Sequence, residues 1–301
     1  MSWQSRLMQS MLGLGKWQIA HQNIHTVKSM MRLYLNRLAE LSGLPSWATR
    51  RDEIINGVPC EWVQVNGVAE DTPVVLYLHG GGFVAGSPAS HRDLAWRLSK
   101  AADMRVLLVD YRLAPEFPYP AQIDDAFAVY GALLDRGLAP ERLAVAGDSA
   151  GANLALCLLQ KARELDLPMP AAVVAVSTWG DLTHSGDSIT ENARRDHVIP
   201  VRLIDQIAAM YAGEQALSQP MLSPVFADFT GFPPMMLHCA EEEILRDDTV
   251  RIAHSAKAAG VEVEGRIWKG VPHAFPAFAQ FLPEGKTAIK EIGAFIRAQC
   301  R

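Results

Sequence analysis

Cysteine is scarce in this chain, and the four present, Cys60, Cys157, Cys239 and Cys300, show no spacing that suggests disulfide pairs. No Cys and His spacing fits a zinc site either, so the sequence excludes zinc-ribbon and zinc-finger classes. Cys157 and Cys239 lie in apolar runs, which predicts that they are small buried hydrophobic residues.

Other absences narrow the class further. There is no run of 18 apolar residues, which argues against a membrane span and stable insertion. The first residues, Met1 to Arg6, lack the apolar stretch and cleavage site of a signal peptide, so the expected location is cytoplasmic. The 28 basic residues are outnumbered by 33 acidic ones, and no basic stripe is present. The sequence therefore predicts neither a nucleic-acid partner nor a charged membrane-binding surface.

What remains is the composition of a soluble globular enzyme, with 49% hydrophobic and 20% charged residues. A chain of 301 residues is long enough for one large core, or for a core with a lid. Internal repeats and low-complexity segments are absent.

A Gly-x-Ser-x-Gly pentapeptide is the most informative motif, Gly147-Asp-Ser-Ala-Gly151. It follows the strand-like run Leu143–Ala146 and precedes the helix-prone run Asn153–Gln160. A serine on a sharp strand-to-helix turn needs glycine on both sides, because side chains there would clash. The following helix points its N-terminal amides at a developing negative charge. This context predicts that Ser149 is a catalytic nucleophile.

A serine hydroxyl needs an adjacent base, and five histidines follow it in the chain: His184, His197, His238, His254 and His273. His238 lies in an apolar run that predicts a buried strand, and His254 lies in a predicted helix, where a surface role is expected. His273 follows a Gly-Val-Pro loop that leaves a predicted strand. We therefore expect His273 to be the general base.

Carboxylates crowd the segment after the predicted strand that ends near Ala240: Glu241, Glu242, Glu243, Asp247 and Asp248. One buried carboxylate is needed to orient the histidine and to stabilise its charged form. Ile244 and Leu245 could cover Glu243, whereas Asp247 and Asp248 begin a predicted helix, where N-capping is the expected role. Spacing alone leaves the choice open.

An apolar strand runs into His79-Gly-Gly-Gly-Phe83. Consecutive glycines allow backbone N–H groups to converge on one point, so we expect Gly81 and Gly82, with the amide of Ala150, to form an oxyanion hole. His79 is expected to brace this loop by hydrogen bonding. A phosphate-binding loop is excluded because no Lys follows the glycines.

From about Arg51, predicted strands alternate with predicted helices, which favours a mostly parallel sheet covered on both faces. The predicted strands are Glu53–Ile55, Glu61–Val65, Val74–His79, Arg105–Asp110, Leu143–Ala146, Ala172–Ser177, Met235–Cys239 and Val261–Trp268. The predicted helices are Ser90–Ala101, Ala121–Asp135, Asn153–Arg163, Pro200–Tyr211, Thr249–Ala259 and Thr287–Ala298, together with residues 2–41. Within residues 2–41, Leu7, Met11, Leu14 and Ile19 indicate one amphipathic stretch that we expect Gly13 and Gly15 to break, and a better apolar stripe runs from Val27 to Leu38. We expect a lid helix that packs on the protein's own domain, and not a membrane-surface helix, because Lys28, Arg32 and Arg37 make no great basic excess.

Together the motifs resemble the hormone-sensitive-lipase-like branch of the α/β-hydrolases, often called family IV bacterial esterases. The matching segments are residues 79–83, 110–116 with Pro118 and Pro120, 147–151, 222–224, 231–234 and 273–275. In that family the acid usually lies in a segment Asp-Pro-Leu-x-Asp, and the equivalent here is Glu243-Ile-Leu-Arg-Asp247. The resemblance thus implies that Glu243 is the acid, with Asp247 in reserve.

The resemblance also implies an α/β-hydrolase fold, with a mostly parallel central sheet covered by helices on both faces and a helical cap. The start of the sheet would hold two antiparallel strands. We expect the cap to comprise residues 1–45 and 180–224, and the catalytic core to comprise residues 46–179 and 225–301. Phe83, Trp179, Met31 and Tyr34 are the candidate substrate-binding residues, chosen from their positions.

The expected function is a serine carboxylesterase that hydrolyses short- to medium-chain carboxylic esters without cofactor or metal. Two rivals stay open: a lactone or amide hydrolase with the same triad, and a non-catalytic ligand receptor on the same fold. The retained His273 argues against the receptor, since receptors of this fold lose that histidine. Relatives that pair edge strands lead us to expect a homodimer through the last strand, Val261–Trp268, with Glu262, Glu264 and Arg266 on its solvent face.

Overall fold

The computed structural model describes the backbone of residues 1–41 and 43–300, and the side chains of residues 1–35 and 43–300. One eight-stranded sheet forms its centre, in the order β1-β2-β4-β3-β5-β6-β7-β8. The strands are β1 Ala48–Ile55, β2 Val58–Val65, β3 Val74–Leu78, β4 Arg105–Val109, β5 Leu143–Asp148, β6 Ala172–Val176, β7 Met235–Ala240 and β8 Val263–Trp268. All eight predicted strands are confirmed, with ends shifted by a few residues.

The sheet is parallel from β4 to β8 and antiparallel at its start, where β2 pairs with both β1 and β4. Strands covered on both faces read as continuous apolar runs, and every residue of β3, Val-Val-Leu-Tyr-Leu, is buried. The strand predicted to lie at the edge, β8, does so. The expected mostly parallel sheet with an antiparallel beginning is therefore confirmed.

The described residues form nine helices on and around this sheet. They are α1 Trp3–Ile19, α2 Ile24–Leu41, α3 Pro88–Ala102, α4 Ala121–Asp135, α5 Ala150–Glu164, α6 Ser188–Glu191, α7 Val201–Ala212, α8 Arg246–Ala258 and α9 Pro283–Gln299. Helices α3 and α9 bury their apolar residues against one face of the sheet, which includes Val75 and Tyr77. Helices α4, α5 and α8 cover the other face, which includes Leu76 and Leu78. Alternate residues of one strand thus build two separate cores.

The expected break at Gly13 and Gly15 is wrong, because α1 continues through both glycines to Ile19. A glycine inside a helix costs only about 1 kcal/mol relative to alanine, which neighbouring contacts can offset. The real break lies after Ala20, and Asn23 starts the next helix by accepting the Thr26 N–H at 2.9 Å.

Helix α1 packs on the protein's own domain as expected, through Met8 and Ile19. The other residues of its predicted apolar stretch, Leu7, Met11 and Leu14, are each more than half exposed. Periodicity identifies an apolar stripe, but it does not say what the stripe faces.

Helices α2 and α7 pack against each other, and both reach the larger core. Val27 of α2 and Leu203, Ile204 and Tyr211 of α7 are buried there. These helices lie in the two segments expected to form a cap, although the division into cap and core stays a prediction. Among the described helices, none combines the length and apolarity that crossing a bilayer requires.

Candidate active site

Ser149 occupies the turn between β5 and α5. Its backbone is strained, with φ 55° and ψ −120°, and α5 begins at the next residue. A side chain at Gly151 would collide with the carbonyl oxygens of Leu78 and His79, and one at Gly147 would collide with the Gly151 carbonyl. The backbone packs so closely at these two positions that both must be glycine. The turn holds Ser149 at the carboxyl end of β5.

Three polar side chains meet at this turn. The Nε2 atom of His273 lies 2.9 Å from Ser149 Oγ, and Nδ1 of the same ring lies 2.9 Å from Glu243 Oε2. With the carboxylate accepting from Nδ1–H, Nε2 is left to accept the serine proton. Three loops at the carboxyl ends of β5, β7 and β8 supply these residues, and all three side chains are buried.

The neighbouring Glu243 favours the protonated, charged form of the His273 imidazole. Burial lowers the pKa of His273, but the hydrogen bond and charge of Glu243 outweigh it, so the pKa lies above its ordinary value. Burial raises the pKa of the Glu243 carboxyl, and the hydrogen bond from His273 opposes that rise. A base with a raised pKa next to a hydroxyl can take up a proton and hold it.

The other carboxylates of the crowded segment lie elsewhere. Asp247 Oδ2 accepts the Ser188 N–H at 2.9 Å, and Asp248 Oδ2 accepts the Gly180 and Asp181 amides at 2.9 and 3.0 Å. Neither side chain caps α8, so the expected N-capping role is wrong: both carboxylates tie segment 180–188 to the start of that helix. The structure brings Glu243, and not the reserve candidate Asp247, to His273.

The glycine loop after β3 runs beside Ser149. Within the described residues, the Gly81 and Gly82 amides donate no hydrogen bond to the protein, and the Ala150 amide begins α5, where it has no partner inside the helix. His79 stacks on Tyr111 with ring centroids 4.2 Å apart, and its Nδ1–H donates to the Gly80 carbonyl at 2.9 Å. Burial lowers the pKa of His79 to about 3, so the ring is neutral, and it braces the loop by this hydrogen bond, as expected, and by stacking.

Aromatic side chains pack against one another next to this loop. Phe83 stacks on Tyr211 with centroids 3.6 Å apart and lies 5.9 Å from Trp179. Met31 is half-buried against the same core, whereas Tyr34 is mostly exposed on α2. Of the four candidate substrate-binding residues, Phe83 and Trp179 lie together near Ser149, and a contact of Met31 or Tyr34 with substrate stays a prediction.

Comparison with known proteins assigns the family. A family model described as alpha/beta hydrolase fold matches residues 75–277. The chain is 40% identical over 237 residues, 79% of each chain, to an acetyl-hydrolase of Streptomyces hygroscopicus. It is 35% identical over 233 residues, 77% of each chain, to an esterase of Acinetobacter venetianus. The chain belongs to the α/β-hydrolase family.

Solved structures place this hydrolase in the branch expected from its motifs. An esterase of the bacterial hormone-sensitive lipase family superposes with a TM-score of 0.94 at 37% identity, over 100% of this chain and 99% of that one. EstE5, in a crystal soaked with p-nitrophenyl butyrate, superposes with a TM-score of 0.91 at 35% identity, over 99% of each chain. The predicted fold and family are both confirmed.

Sequence reasoning missed the residues that brace the acid loop of the hydrolase. The Asp196 carboxylate accepts the Ile244 N–H at 2.9 Å, next to Glu243, and also the amides of Val198 and Ile199. Asn192 Nδ2 donates to the carbonyls of Glu241 and Glu243, both at 2.9 Å. Neither residue lies in a motif, so only the folded chain reveals them.

A buried cluster beneath Ser149 was missed as well. Asp148 Oδ1 accepts from the Tyr77 hydroxyl at 2.8 Å and lies 3.1 Å from His91 Nε2. Burial raises the pKa of Asp148, but His91 and the Tyr77 hydroxyl outweigh this and lower it. The carboxylate also accepts the Gly80 N–H at 3.2 Å, which links the nucleophile turn to the glycine loop.

The remaining histidines have other environments. Burial, aided by Arg266, lowers the pKa of His238 in β7 to about 4, as suits a core residue. His254 is exposed on α8. His184 Nε2 accepts the Trp179 indole N–H at 3.2 Å, and its Nδ1–H donates to Asp205 Oδ1 at 2.7 Å. His197 lies beside Gly13 of α1.

Several residues around the site have strained backbone conformations. Phe83, Ser149, Ser177 and Ala274 all have positive φ, between 51° and 62°. Each such conformation costs about 1–3 kcal/mol and persists only where its surroundings hold it. Ser177 helps to hold one of these conformations, because its Oγ accepts the N–H of Ala274 at 3.0 Å. Ala274 is the residue that follows His273.

Proposed function

We propose that this hydrolase is a serine carboxylesterase that acts on short- to medium-chain carboxylic esters through an acyl-enzyme. The observation that carries the proposal is the chain of two 2.9 Å contacts from Glu243 through His273 to Ser149. The esterases among its relatives support ester hydrolysis as the reaction class.

In the proposed acylation step, His273 Nε2 takes the proton of Ser149 while Oγ attacks the ester carbonyl carbon. The carbonyl electron pair moves to oxygen, and the Gly81, Gly82 and Ala150 amides donate to this oxyanion. Removing one such donor typically costs about 10²–10³ in kcat. As the tetrahedral intermediate collapses, the C–O bond to the alcohol breaks and His273 protonates the leaving alcohol.

In deacylation, water replaces the alcohol. His273 removes a proton from the water as it attacks the acyl-enzyme carbonyl, and then returns that proton to Ser149 Oγ when the acid leaves. Glu243 keeps Nε2 directed at the serine and stabilises the imidazolium in both halves. His273 carries each proton, so ester and water together balance the reaction.

Apolar side chains that pack beside Ser149 support the proposal of a short- to medium-chain acyl group. Phe83, Tyr211 and Trp179 form a buried aromatic wall, and Ile207 of α7 packs against Gly82. Small acyl groups are also named among the relatives, in the acetyl-hydrolase and in the crystal of EstE5 soaked with p-nitrophenyl butyrate.

The test uses nitrophenyl acetate, butyrate, hexanoate, octanoate and laurate with wild-type protein and Ser149→Ala. We expect kcat/KM to be highest among the shorter acyl chains and turnover by Ser149→Ala to be near background. Normal turnover by Ser149→Ala would overturn the serine mechanism. A kcat/KM that rises steadily to laurate would overturn the chain-length assignment alone.

A further inference from the structure

The turn that carries Gly81 and Gly82 continues into a buried and strained segment. The amides of Val84 and Ala85 both donate to the Gly81 carbonyl, at 3.2 and 3.0 Å. Phe83, which follows Gly82, is fully buried and has a φ of 62°. A strained conformation persists only where its surroundings hold it. The groups that hold residues 83 and 84 therefore also position the two glycine amides.

Arg32 of α2 contacts this segment directly. Its Nε–H donates to the Val84 carbonyl at 2.7 Å, and an Nη2–H donates to the Ala114 carbonyl at 3.1 Å. Within the described part of the chain, neither carbonyl accepts a hydrogen bond from another residue. Ala114 donates its own N–H to the Phe83 carbonyl at 2.9 Å. One guanidinium group thus joins two buried segments that also bind each other.

Glu116 fixes the guanidinium group of Arg32 in this position. Its carboxylate accepts from Nη1 at 3.1 Å and from Nη2 at 2.7 Å, and it also accepts from Lys28 Nζ at 2.8 Å. Hydrogen bonds from Arg32 and Lys28 lower the pKa of Glu116 to about 2, so the carboxylate is charged at neutral pH. The planar fork of arginine can donate to a carboxylate and to two carbonyls at once, whereas lysine offers a single nitrogen.

We propose that Arg32 is a positioning residue for the oxyanion hole, because its contact with the Val84 carbonyl keeps the glycine amides directed at the oxyanion. The assignment rests on the proposed function, in which Gly81 and Gly82 supply these amides. The oxyanion exists only in the transition state and the tetrahedral intermediate, so this contact acts on kcat more than on substrate binding. Helix α2, which lies in the expected cap, contributes to the catalytic geometry through this side chain.

A purely structural anchor for α2 is the competing role of Arg32. Lys28 lies one turn earlier on the same helix and donates to the same Glu116 carboxylate, but not to either carbonyl. Glu116→Gln weakens both ion pairs and leaves the carbonyl contacts of Arg32 in place. Lys28→Met and Glu116→Gln are therefore matched controls, since they disturb the anchoring of α2 without removing the contact with Val84.

The test compares Arg32→Met and Arg32→Lys with these two controls in the turnover of p-nitrophenyl butyrate. We expect kcat of both Arg32 variants to fall by about 10-fold with a smaller change in KM, since a misdirected donor costs less than the 10²–10³ of a lost one. Both controls should stay within about 2-fold of wild type, because partly exposed ion pairs contribute little.

A trifluoromethyl ketone with a short alkyl chain reports on the oxyanion itself. Ser149 Oγ adds to the ketone carbonyl, and the carbonyl oxygen of the adduct carries the negative charge. The affinity of the Arg32 variants for this ketone should fall by the same factor as their kcat/KM. Titration with a fluorophosphonate counts the active sites in each protein. Fewer sites with wild-type kcat and wild-type affinity for the ketone would show a purely structural role and overturn the proposal, as would an equal loss of kcat in Lys28→Met.

Hydrogen exchange provides a measurement that does not depend on activity. The Val84 and Ala85 amides should lose protection in Arg32→Met and keep it in Lys28→Met, because they report on the order of the turn that Arg32 holds. Equal exchange in these two variants overturns the proposal. Wild type without turnover of p-nitrophenyl butyrate would count against the proposed function, and the exchange result would still decide whether Arg32 positions the turn.

Discussion

His273 connects the other two members of the candidate triad, and its contacts explain why each is where it is. Ser149 and His273 stand in patterns that the sequence already displays, a nucleophile turn and a loop after a strand. The acid could not be chosen from spacing, since five carboxylates share one short segment. The resemblance to a family motif favoured Glu243, and the folded chain brings that residue to the histidine. Asp196 and Asn192, which hold the acid loop, carry no pattern at all.

Replacing Glu243 by Gln tests the acid directly. The shape is kept while the charge that stabilises the imidazolium is removed, so we expect kcat to fall by up to about 10⁴-fold. Asp247→Asn is the control and should retain most of its activity, because Asp247 binds the Ser188 amide. Steady-state kinetics on p-nitrophenyl butyrate measure both. A nearly inactive Asp247→Asn beside a near-normal Glu243→Gln would reverse the assignment.

The pH profile tests the same pair in another way. His273 acts as a base only when neutral, and its pKa is raised above the ordinary 6.5. Activity should therefore fall as pH decreases through a value above 6.5, and the loss should begin at higher pH than for an unperturbed histidine. In Glu243→Gln the raising contribution is gone, so the acidic limb of kcat/KM should move to lower pH. If the acidic limb of kcat/KM stays at the same pH in Glu243→Gln, a group other than His273 controls it.

His184 should act on acyl selectivity through Trp179. Removing its ring in His184→Ala leaves the Trp179 indole N–H without its acceptor and frees the Trp179 side chain to move. One such hydrogen bond contributes about 0.5–1.5 kcal/mol, so we expect the ratio of kcat/KM for butyrate to that for octanoate to fall by up to roughly 10-fold. His254→Ala, on the exposed side of α8, is the control. An unchanged ratio in both variants would exclude a positioning role for His184.

At the scale of elements, sequence periodicity predicted where the strands and helices lie, but it did not predict which side of each helix packs against the protein. The sheet strands are short apolar runs between glycines and polar turns, and all eight were predicted. Helix α1 was predicted to pack on the protein's own domain, which it does through Met8 and Ile19, but Leu7, Met11 and Leu14 of its predicted apolar stretch are exposed. Hydrophobic periodicity cannot show that Ser2, Ser5 and Lys16 would supply polar attachments to distant loops. These polar bonds, together with the apolar contacts of Met8 and Ile19, attach the helix to the fold.

Lys16 should matter for catalysis although it lies far from Ser149 in sequence. Its ammonium group binds the Asp196 carbonyl, and the Asp196 carboxylate holds the residue after Glu243. Because small misplacements of reacting groups can cost about 10²-fold, we expect Lys16→Met to lower kcat by roughly 10-fold with a smaller change in KM. Arg6→Met, exposed on the same helix, should leave kcat unchanged. Equal kcat in both variants and wild type would show that this link does not position the acid.

At the scale of the whole molecule, the order of the strands brings the functional loops together. Parallel strands place their carboxyl ends at one edge of the sheet, so the loops after β3, β5, β7 and β8 meet there. Alternation of strands and helices predicted this arrangement in outline. The exact strand order and the two antiparallel pairings depend on packing between distant segments, which only the family resemblance could anticipate.

The assembly state stays a prediction at this scale. Strand β8 lies at the edge of the sheet, and Glu264 and Arg266 on it are exposed. We expect two copies to pair through β8, so light scattering should give about twice the chain mass of 33.0 kDa. A single species of one chain mass at high protein concentration would contradict this.

The central claim is that His273 activates Ser149 as a nucleophile, and covalent labelling tests it most directly. Wild type, Ser149→Ala and His273→Ala would be treated with a fluorophosphonate and measured by intact-mass and peptide mass spectrometry. The account predicts one label per wild-type chain on the peptide that contains Ser149, much slower labelling of His273→Ala, and none of Ser149→Ala. Wild type that stays unlabelled, or that is labelled at another residue while Ser149→Ala is labelled equally, would contradict the account.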